Sequence, residues 1–385
     1  AGVGLLERSV ELLPAGDPVR LPALPRFASA LWEVGRFDDM RRVIEELDAS
    51  GDERSRANAA TLRPTLNALE GERSFADHSR EVEAARETFE RLGDDAGLAR
   101  AYEVEGHIAW TGCRARTAQV AYRKGLTHAE RAGEAGLAEG IRRMLLSTNV
   151  QGPIPVAEAE LEVARIRETS RGMVVETAAL RALGRLASMR GDFVSARALA
   201  EQGRAPLADA GYALWHAASS QVPAAVEELA GDLEAAFEFL RDGFDRLREL
   251  DEYPFASTNA AVIAGLLLEL RRDGEAGDWL RVARDLSPAD DVSTLAESDA
   301  VDAVLAARKG EHERAEQLAR RSIEQAETTD FWNLRARAQE ALAKVLVAAE
   351  RRDEAREALL AALAVYEEKG VVPAADRVRL LVAEL

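Results

Sequence analysis

The chain has 385 residues, 47% of them hydrophobic, and its 68 acidic and 50 basic side chains give a formal net charge of −18. That charge repels phosphate backbones and anionic lipid headgroups, so we expect the chain to bind neither nucleic acid nor a membrane surface. The hydrophobic content is enough for a substantial core, and the abundance of Ala, Leu, Glu and Arg favours helix throughout.

The cysteine content and the N-terminal sequence indicate the cellular compartment of the protein. Cys113 is the sole cysteine, so no disulfide within the chain is possible, as is usual in a reducing cytoplasm. The longest apolar stretch, residues 260–268, is too short to cross a bilayer, and the N-terminus lacks the pattern of a signal peptide. The sequence opens on Ala1 rather than methionine, which suggests a fragment of a longer polypeptide. We therefore expect a cytoplasmic protein.

Apolar residues at three-and-four spacing predict helices along the whole chain. A lone helix within residues 1–14 comes first, as if it were the second half of a repeat, and a capping helix over 374–385 comes last. Between them we predict nine pairs of helices. The first helices lie at roughly 21–34, 53–70, 95–111, 135–149, 173–190, 213–230, 255–272, 291–309 and 331–349. The second helices lie at roughly 37–49, 75–92, 115–132, 155–169, 193–209, 233–249, 275–286, 311–327 and 352–368.

A recurring turn separates the two helices of each pair. It consists of a glycine, a polar residue, often an aromatic residue and, after two more residues, a small one. Clear copies start at Gly35, Gly191, Gly231 and Gly310, and degenerate copies lie near 71–75, 112–118, 152–157, 274–279 and 350–355. The mean period is about 39 residues, which is typical of stacked supersecondary units.

These patterns predict an all-α fold. Each helix carries one apolar stripe, no alternating β-branched run predicts a sheet, and no polar linker divides the chain. Each pair would bury its apolar face on its neighbours, which makes the core continuous. We predict one domain over residues 1–385, a right-handed α-solenoid of about nine helical hairpins.

The repeat resembles a known family. Gly184, Gly191, Phe193 and Ala196 match the tetratricopeptide consensus in register. The longer period is similar to that of the sensor region of bacterial multidomain signal-transduction ATPases. The last segment, from Thr329-Asp330-Phe331 through Tyr366-Glu367-Glu368-Lys369-Gly370, resembles the C-terminus of actinobacterial proteins of this kind. The resemblance implies a solenoid that belongs to a larger chain, with an ATPase and a cyclase-like or DNA-binding output domain upstream.

The sequence lacks the motifs of catalysis and cofactor binding. It contains neither a phosphate-binding loop nor a Gly-x-Ser-x-Gly elbow, and its five histidines do not form a metal-binding spacing. Cys113 is interpreted as a small turn residue. We therefore expect no catalytic residue, no metal and no cofactor, and we expect that the protein is not an enzyme.

In tetratricopeptide superhelices, positions five, nine and twelve of each repeat face the concave groove. Carried over with the turn residue as position fifteen, the resemblance implies ten candidate binding residues: Trp32, Arg63, Asn67, Glu103, His107, Trp110, Arg142, Asn149, Arg181 and Arg185. Trp32 and Trp110 share one repeat position and either enter the groove or pack between repeats. Arg142, Arg181 and Arg185 form either a basic band for a carboxylate, phosphate or acidic peptide, or ion pairs with nearby glutamates.

The same positions in the seventh and eighth repeats are apolar, namely Ala264, Leu268, Ala300, Val304 and Ala307. This favours either a hydrophobic ligand or partner helix, or contact across the superhelix. The sequence thus predicts a non-catalytic module that binds a peptide, a protein or a small effector in its concave groove and regulates an upstream domain. The alternatives are a stand-alone interaction scaffold and, less favoured by these residues, an enzyme built on a solenoid.

Overall fold

In the computed structural model, the described residues are 2–14, 17–70, 76–170, 172–288 and 291–385, and every regular element among them is a helix. A leading helix, α1 (Gly2–Leu12), and a closing helix, α21 (Val372–Glu384), flank nine hairpins. The first helices of the hairpins are α2 (Arg20–Glu33), α4 (Glu53–Glu70), α6 (Asp95–Thr111), α8 (Ala135–Gln151), α10 (Met173–Met189), α12 with α13 (Ala213–Ala218 and Gln221–Ala230), α15 (Pro254–Glu269), α17 (Val292–Arg308) and α19 (Trp332–Ala348). The second helices are α3 (Phe37–Ala49), α5 (Ser79–Leu92, after a 3-10 turn at Ala76–His78), α7 (Ala115–Arg131), α9 (Val156–Glu168), α11 (Phe193–Asp209), α14 (Leu233–Glu249), α16 (Asp273–Leu286), α18 (His312–Glu327) and α20 (Arg352–Lys369).

The turns inside the hairpins explain the repeat period. Gly191, Gly231, Arg271, Gly310 and Glu350 all have positive φ, between 61° and 88°, and follow one another at intervals of 39 or 40 residues. A residue in this left-handed conformation ends the first helix and reverses the chain, which favours glycine. The period of about 39 residues in the sequence is therefore the distance along the chain between successive left-handed turn residues. The predicted turn at 71–75 lies outside the described residues.

The sixth hairpin corrects one predicted helix. The segment 213–230 is not continuous but is broken at Ser219 and Ser220, between α12 and α13. Pro223 favours the break, because proline has no N–H to donate to the carbonyl of residue 219 and its ring crowds that carbonyl in a continuous helix. The Ser219 carbonyl instead accepts from the backbone N–H of Val222 at 3.0 Å. A proline in mid-segment does not by itself predict such a break, because Pro64 and Pro206 lie inside the continuous helices α4 and α11.

Helices within a hairpin approach closely at small residues. An ideal Cβ on Gly106 of α6 would lie 2.3 Å from Cε1 of Tyr122 on α7, a side chain that is fully buried. At Gly184 of α10, a Cβ would lie 3.0 Å from the carbonyl oxygen of Ala196 on α11. The glycines therefore set the distance between the paired helices.

Gly106→Ala is expected to lower the free energy of unfolding by about 2–3 kcal/mol, because the buried Tyr122 ring has no room to retreat from the new methyl group. Urea denaturation followed by circular dichroism measures the change. Gly136→Ala is the matched control, since it also lies in a helix but meets nothing within 4 Å. That variant is expected to be neutral or up to about 1 kcal/mol more stable. Equal effects at the two positions would contradict the close-packing argument.

Successive turns of the superhelix touch each other. Trp32 and Phe37 pack against a buried cluster that includes Leu214 and Ala217, far along the chain. The carboxylate of Asp330 accepts from the backbone N–H of Arg116 at 2.9 Å, and the indole Nε1 of Trp332 donates to the carbonyl of Val150 at 3.0 Å. Because such contacts join repeats that are several hairpins apart, the solenoid is compact and surrounds a central space.

The fold is the expected one, an all-α, right-handed solenoid of tetratricopeptide-like hairpins. The helix boundaries agree with the predicted ones to within a few residues, apart from the break in the sixth hairpin. Within the described ranges, no helix is both long enough and apolar enough to cross a bilayer.

Candidate functional site

The candidate site is the concave interior of the superhelix. We call it the central cavity, and define it as the space lined mainly by the first helices α2, α4, α6, α8, α10, α13, α15, α17 and α19. Its volume is about 1520 Å³, and α1 and α21 contribute lining residues at its two ends. First helices face inward in this fold because the second helices cover their outer side. The repeat architecture thus directs one face of each repeat toward a shared space.

Aromatic side chains are concentrated on the wall of the central cavity. Trp32, Trp110, Trp215 and Trp332, four of the five tryptophans, line it. Trp110 also packs on Phe331 with ring centroids 4.9 Å apart, and Trp32 on Phe37 at 5.6 Å. For Trp32 and Trp110, packing between repeats and exposure to the groove are therefore not exclusive. Each packs between superhelical turns and presents part of its surface to the cavity.

A glutamate, an arginine and a tryptophan join three hairpins at the cavity wall. The carboxylate of Glu33 on α2 accepts from the Trp215 indole at 2.6 Å and lies 3.4 Å from the guanidinium of Arg143 on α8. That guanidinium stacks 3.7 Å from the centroid of the Trp215 ring, a cation–π geometry. The cluster fixes the first, fourth and sixth hairpins to one another.

Two titratable residues of α6 lie near this cluster, and the enclosed wall shifts their pKa values. Burial raises the pKa of Glu103 from 4.5 to about 7, an effect that Arg143 opposes and Glu33 reinforces. Burial, helped by the positive charge of Arg143, lowers the pKa of His107 to about 4. Near neutral pH the imidazole is therefore uncharged, and the carboxyl group is partly protonated.

Glu103→Gln is expected to stabilise the protein at pH 8 by about 1–2 kcal/mol, a value discounted for water in the cavity. Between pH 4.5 and about 7 the native state holds a proton on Glu103 that the unfolded state has lost. Stability from this group therefore falls as the pH rises through that window. His107, whose native pKa is lowered, acts in the opposite sense between pH 4 and 6.5.

Unfolding by urea at pH 5, 6, 7 and 8 measures the difference between wild type and variant, which should grow with pH. Glu324→Gln, at an exposed position of α18, is the control and should change the free energy of unfolding by less than about 0.5 kcal/mol. If the difference in free energy of unfolding between wild type and Glu103→Gln did not change with pH, the raised pKa of Glu103 would be contradicted.

Arg181 and Arg185 lie one helical turn apart on α10, and both line the central cavity. Arg181 donates from Nη1 to the carbonyl of Gly203 at 2.7 Å. Burial lowers its pKa to about 9, with Arg143 and Arg204 adding to the effect. Burial likewise lowers the pKa of Arg185 to about 10, although the carboxylate of Glu228 opposes this shift. Both side chains remain cations at neutral pH.

Four of the ten candidate residues lie outside the cavity lining. Arg63 pairs with Asp48 and lies 3.5 Å from Glu81, and the amide of Asn67 lies 3.2 Å from the His78 ring. Arg142 is ion-paired with Glu130 and Glu139 at 2.6 and 3.0 Å, as its alternative interpretation held. Asn149 is buried between hairpins, where its side chain accepts from Gln119 at 2.7 Å. The other six, Trp32, Glu103, His107, Trp110, Arg181 and Arg185, line the cavity together.

The register of the turn explains these corrections. In the fourth repeat α8 runs on to Gln151, and Gly152 has φ of −69° instead of a left-handed turn. Counting the repeat positions back from Gly152 therefore gives Arg142 and Asn149, which lie beside the cavity wall. The lining residue that the sequence did not predict is Arg143, the neighbour of Arg142. In the second repeat Thr61 and Thr65 take the lining positions. Counting back from Gly71 would have found them.

The seventh and eighth hairpins supply an apolar sector of the wall. Leu268, Ala300 and Val304 line the cavity as expected, whereas Ala264 and Ala307 are buried outside the lining. Ion pairs cross the wall beside this sector, including Arg337 with Glu228 and Glu297, and Arg377 with Glu340. The cavity thus combines an apolar surface with fixed charges.

Metal-binding chemistry is not apparent in the described part of the chain, where no group of three or more His, Cys, Asp or Glu side chains converges. Cys113 is buried at a left-handed turn with φ of 53°, and burial raises the pKa of its thiol far above the usual range. A buried neutral thiol is unreactive, which agrees with its interpretation as a turn residue.

Comparison with known proteins identifies the architecture. No protein-family model matches the chain, and no curated protein matches it in sequence. Among solved structures, the chain is similar to the Rap conjugation gene regulator of the plasmid pLS20 in complex with the Phr* peptide, with a TM-score of 0.55, 10% identity, and coverage of 90% of this chain and 97% of that one. It is also similar to the Cut9–Hcn1 hetero-tetramer of the APC/C, with a TM-score of 0.51, 11% identity, and coverage of 98% and 81%. At these identities the likeness shows the fold alone.

Proposed function

We propose that this chain is a non-catalytic binding and regulatory module that holds a short peptide in its central cavity. The observation that carries the proposal is the cavity of about 1520 Å³, whose wall combines four tryptophans with fixed charges. Sites for small molecules are usually smaller, about 300–1,000 Å³. Aromatic anchors of large area and charged groups of fixed position are the features that give a peptide affinity and orientation.

The structural neighbours support a binding role rather than a catalytic one. The Rap regulator, a solenoid of similar architecture, was solved with the Phr* peptide bound. By analogy, the proposal places a peptide in the central cavity of this chain. It also treats residues 1–385 as one domain, because each hairpin packs on the next and distant hairpins touch.

Affinity selection tests the proposal. A randomised hexapeptide pool is incubated with the chain, and retained peptides are identified by mass spectrometry. Ala225→Trp, which places a large ring at a half-buried lining position of α13, is expected to abolish retention by occupying the space. Ala157→Trp, at an exposed position of α9, is the matched control and should retain the same peptides. No retention by the wild type, or equal retention by both variants, would overturn the proposal.

The resemblance to sensor regions of signal-transduction ATPases extends the proposal to a larger cytoplasmic protein. A peptide that binds in the cavity changes the relation between successive repeats, and small changes per repeat add up along a solenoid. An ATPase joined to the chain would respond to that change. ATP hydrolysis by such a parent protein is expected to change when the retained peptides are added. A peptide-insensitive ATPase would refute the coupling and leave peptide binding standing.

A further inference from the structure

The acidic side chains of the cavity wall differ in whether they have partners. Most are ion-paired, namely Glu134 with Arg26, Glu33 with Arg143, Glu139 with Arg142, Glu228 and Glu297 with Arg337, Glu340 with Arg377, and Glu269 with Lys344. Glu252 and Asp291 accept from the backbone N–H groups of Phe255 and Thr294, at 2.9 and 3.0 Å. Glu103 is different. Among the described residues, its carboxylate has neither a cation within ion-pairing distance nor a hydrogen-bond donor.

Two cations act on Glu103 from a distance, and both are directed to other partners. Arg143 is ion-paired with Glu33 at 3.4 Å. Arg100 donates to the side-chain oxygen of Asn58 at 3.2 Å. Glu103 itself is half-buried at the cavity wall. A half-buried carboxylate without a partner carries a desolvation cost, which a cation brought by a ligand would offset.

The surroundings of Glu103 leave it open to an occupant of the cavity. Gly140 of α8 faces it without a side chain, and an ideal Cβ there would lie 3.5 Å from Oε1 of Glu103. His107 and Trp110 follow one and two helical turns later on the same face of α6, and both line the cavity. Both rings are uncharged near neutral pH, so they suit the aliphatic part of a ligand and do not compete for the carboxylate.

We propose that the Glu103 carboxylate binds a primary ammonium group of the ligand, either the N-terminus or a lysine side chain of the bound peptide, an inference that rests on the proposed function. An ammonium group is compact, and its three N–H donors can reach both carboxylate oxygens. Its charge is complementary to that of the whole chain, whose net charge of −18 attracts cations. A divalent metal ion is a poorer occupant, since it takes several oxygen ligands and no group of three or more metal-binding side chains converges in the described part of the chain.

The test compares the retention of three randomised hexapeptide pools by the chain at pH 7.5. The first pool has a free N-terminus and contains no Lys, Arg or His. The second has an acetylated N-terminus and contains Lys, and the third is acetylated and carries no cationic group. At least one of the first two pools is expected to be retained about tenfold more than the third, as one charge-assisted hydrogen-bonded pair provides. Which pool is preferred distinguishes the N-terminus from the lysine side chain.

Two variants make the test specific for Glu103. Glu103→Gln is expected to remove the preference while the protein stays folded, because an amide of the same shape replaces the carboxyl group. Glu269→Gln is the matched control, since it removes the same charge from the same cavity wall at a residue that is paired with Lys344. This control is expected to keep the preference.

Each outcome has a separate meaning. Equal retention of the three pools by the wild type, or a preference that survives in Glu103→Gln, overturns the ammonium site and leaves peptide binding intact. A preference lost equally in Glu103→Gln and Glu269→Gln would show a general attraction of cations by the cavity wall and overturn the assignment to Glu103. Retention of none of the pools would refute the proposed function itself.

Discussion

Replacing Lys369 by methionine is expected to lower the free energy of unfolding by about 3–5 kcal/mol, a large effect for one side chain. Lys369 ends α20 and is 1% exposed. Its Nζ donates to the carbonyls of Asn149, Gly152 and Ile154, at 3.0, 2.8 and 2.8 Å. Burial, helped by the positive charge of Arg185, lowers the pKa of this amine to about 7. Methionine has a similar length and fills the same space, but it leaves three buried carbonyl groups without a donor.

The position of these carbonyls adds to the effect. They lie at the end of α8 and in the connection to α9, where the negative end of the helix dipole favours a cation. Lys369 is more than two hundred residues away in sequence, so it fastens one turn of the superhelix to the next.

Urea denaturation measures the loss, and hydrogen exchange should show faster exchange in both α9 and α21, because the two elements lose their common tie. Lys309→Met, at an exposed position after α17, is the control and should change stability by less than about 0.5 kcal/mol. A loss below about 1 kcal/mol for Lys369→Met would mean that the carbonyls find other donors and that the tie is dispensable.

Local features of this fold can be predicted from the sequence, whereas contacts between successive turns of the superhelix cannot. Helix boundaries were predictable because apolar spacing and left-handed turn residues such as Gly191 and Gly310 are local signals. The contact between Lys369 and Asn149 depends on superhelical pitch. Pitch accumulates from a small rotation at each repeat, which no short motif encodes.

The cavity lining shows the same division. Where a left-handed residue ends the first helix, as at Cys113 and Gly191, counting back along the repeat gave the lining residues Glu103, His107, Trp110, Arg181 and Arg185. Where the turn departs from that conformation, as at Gly152, the count gave Arg142 and Asn149, which lie elsewhere. The repeat register is therefore informative only when the turn that defines it is present.

Arg337→Met is expected to lower the free energy of unfolding by about 2–4 kcal/mol, because it leaves two carboxylates at the cavity wall without their cation. Arg337 of α19 donates from Nη2 to Glu228 of α13 at 2.6 Å and from Nη1 to Glu297 of α17 at 2.5 Å. Urea denaturation measures the loss. Arg356→Met, at an exposed position of α20, is the control and should be nearly neutral. The double variant Arg337→Met with Glu297→Gln should regain part of the loss, since one of the unpaired charges is removed.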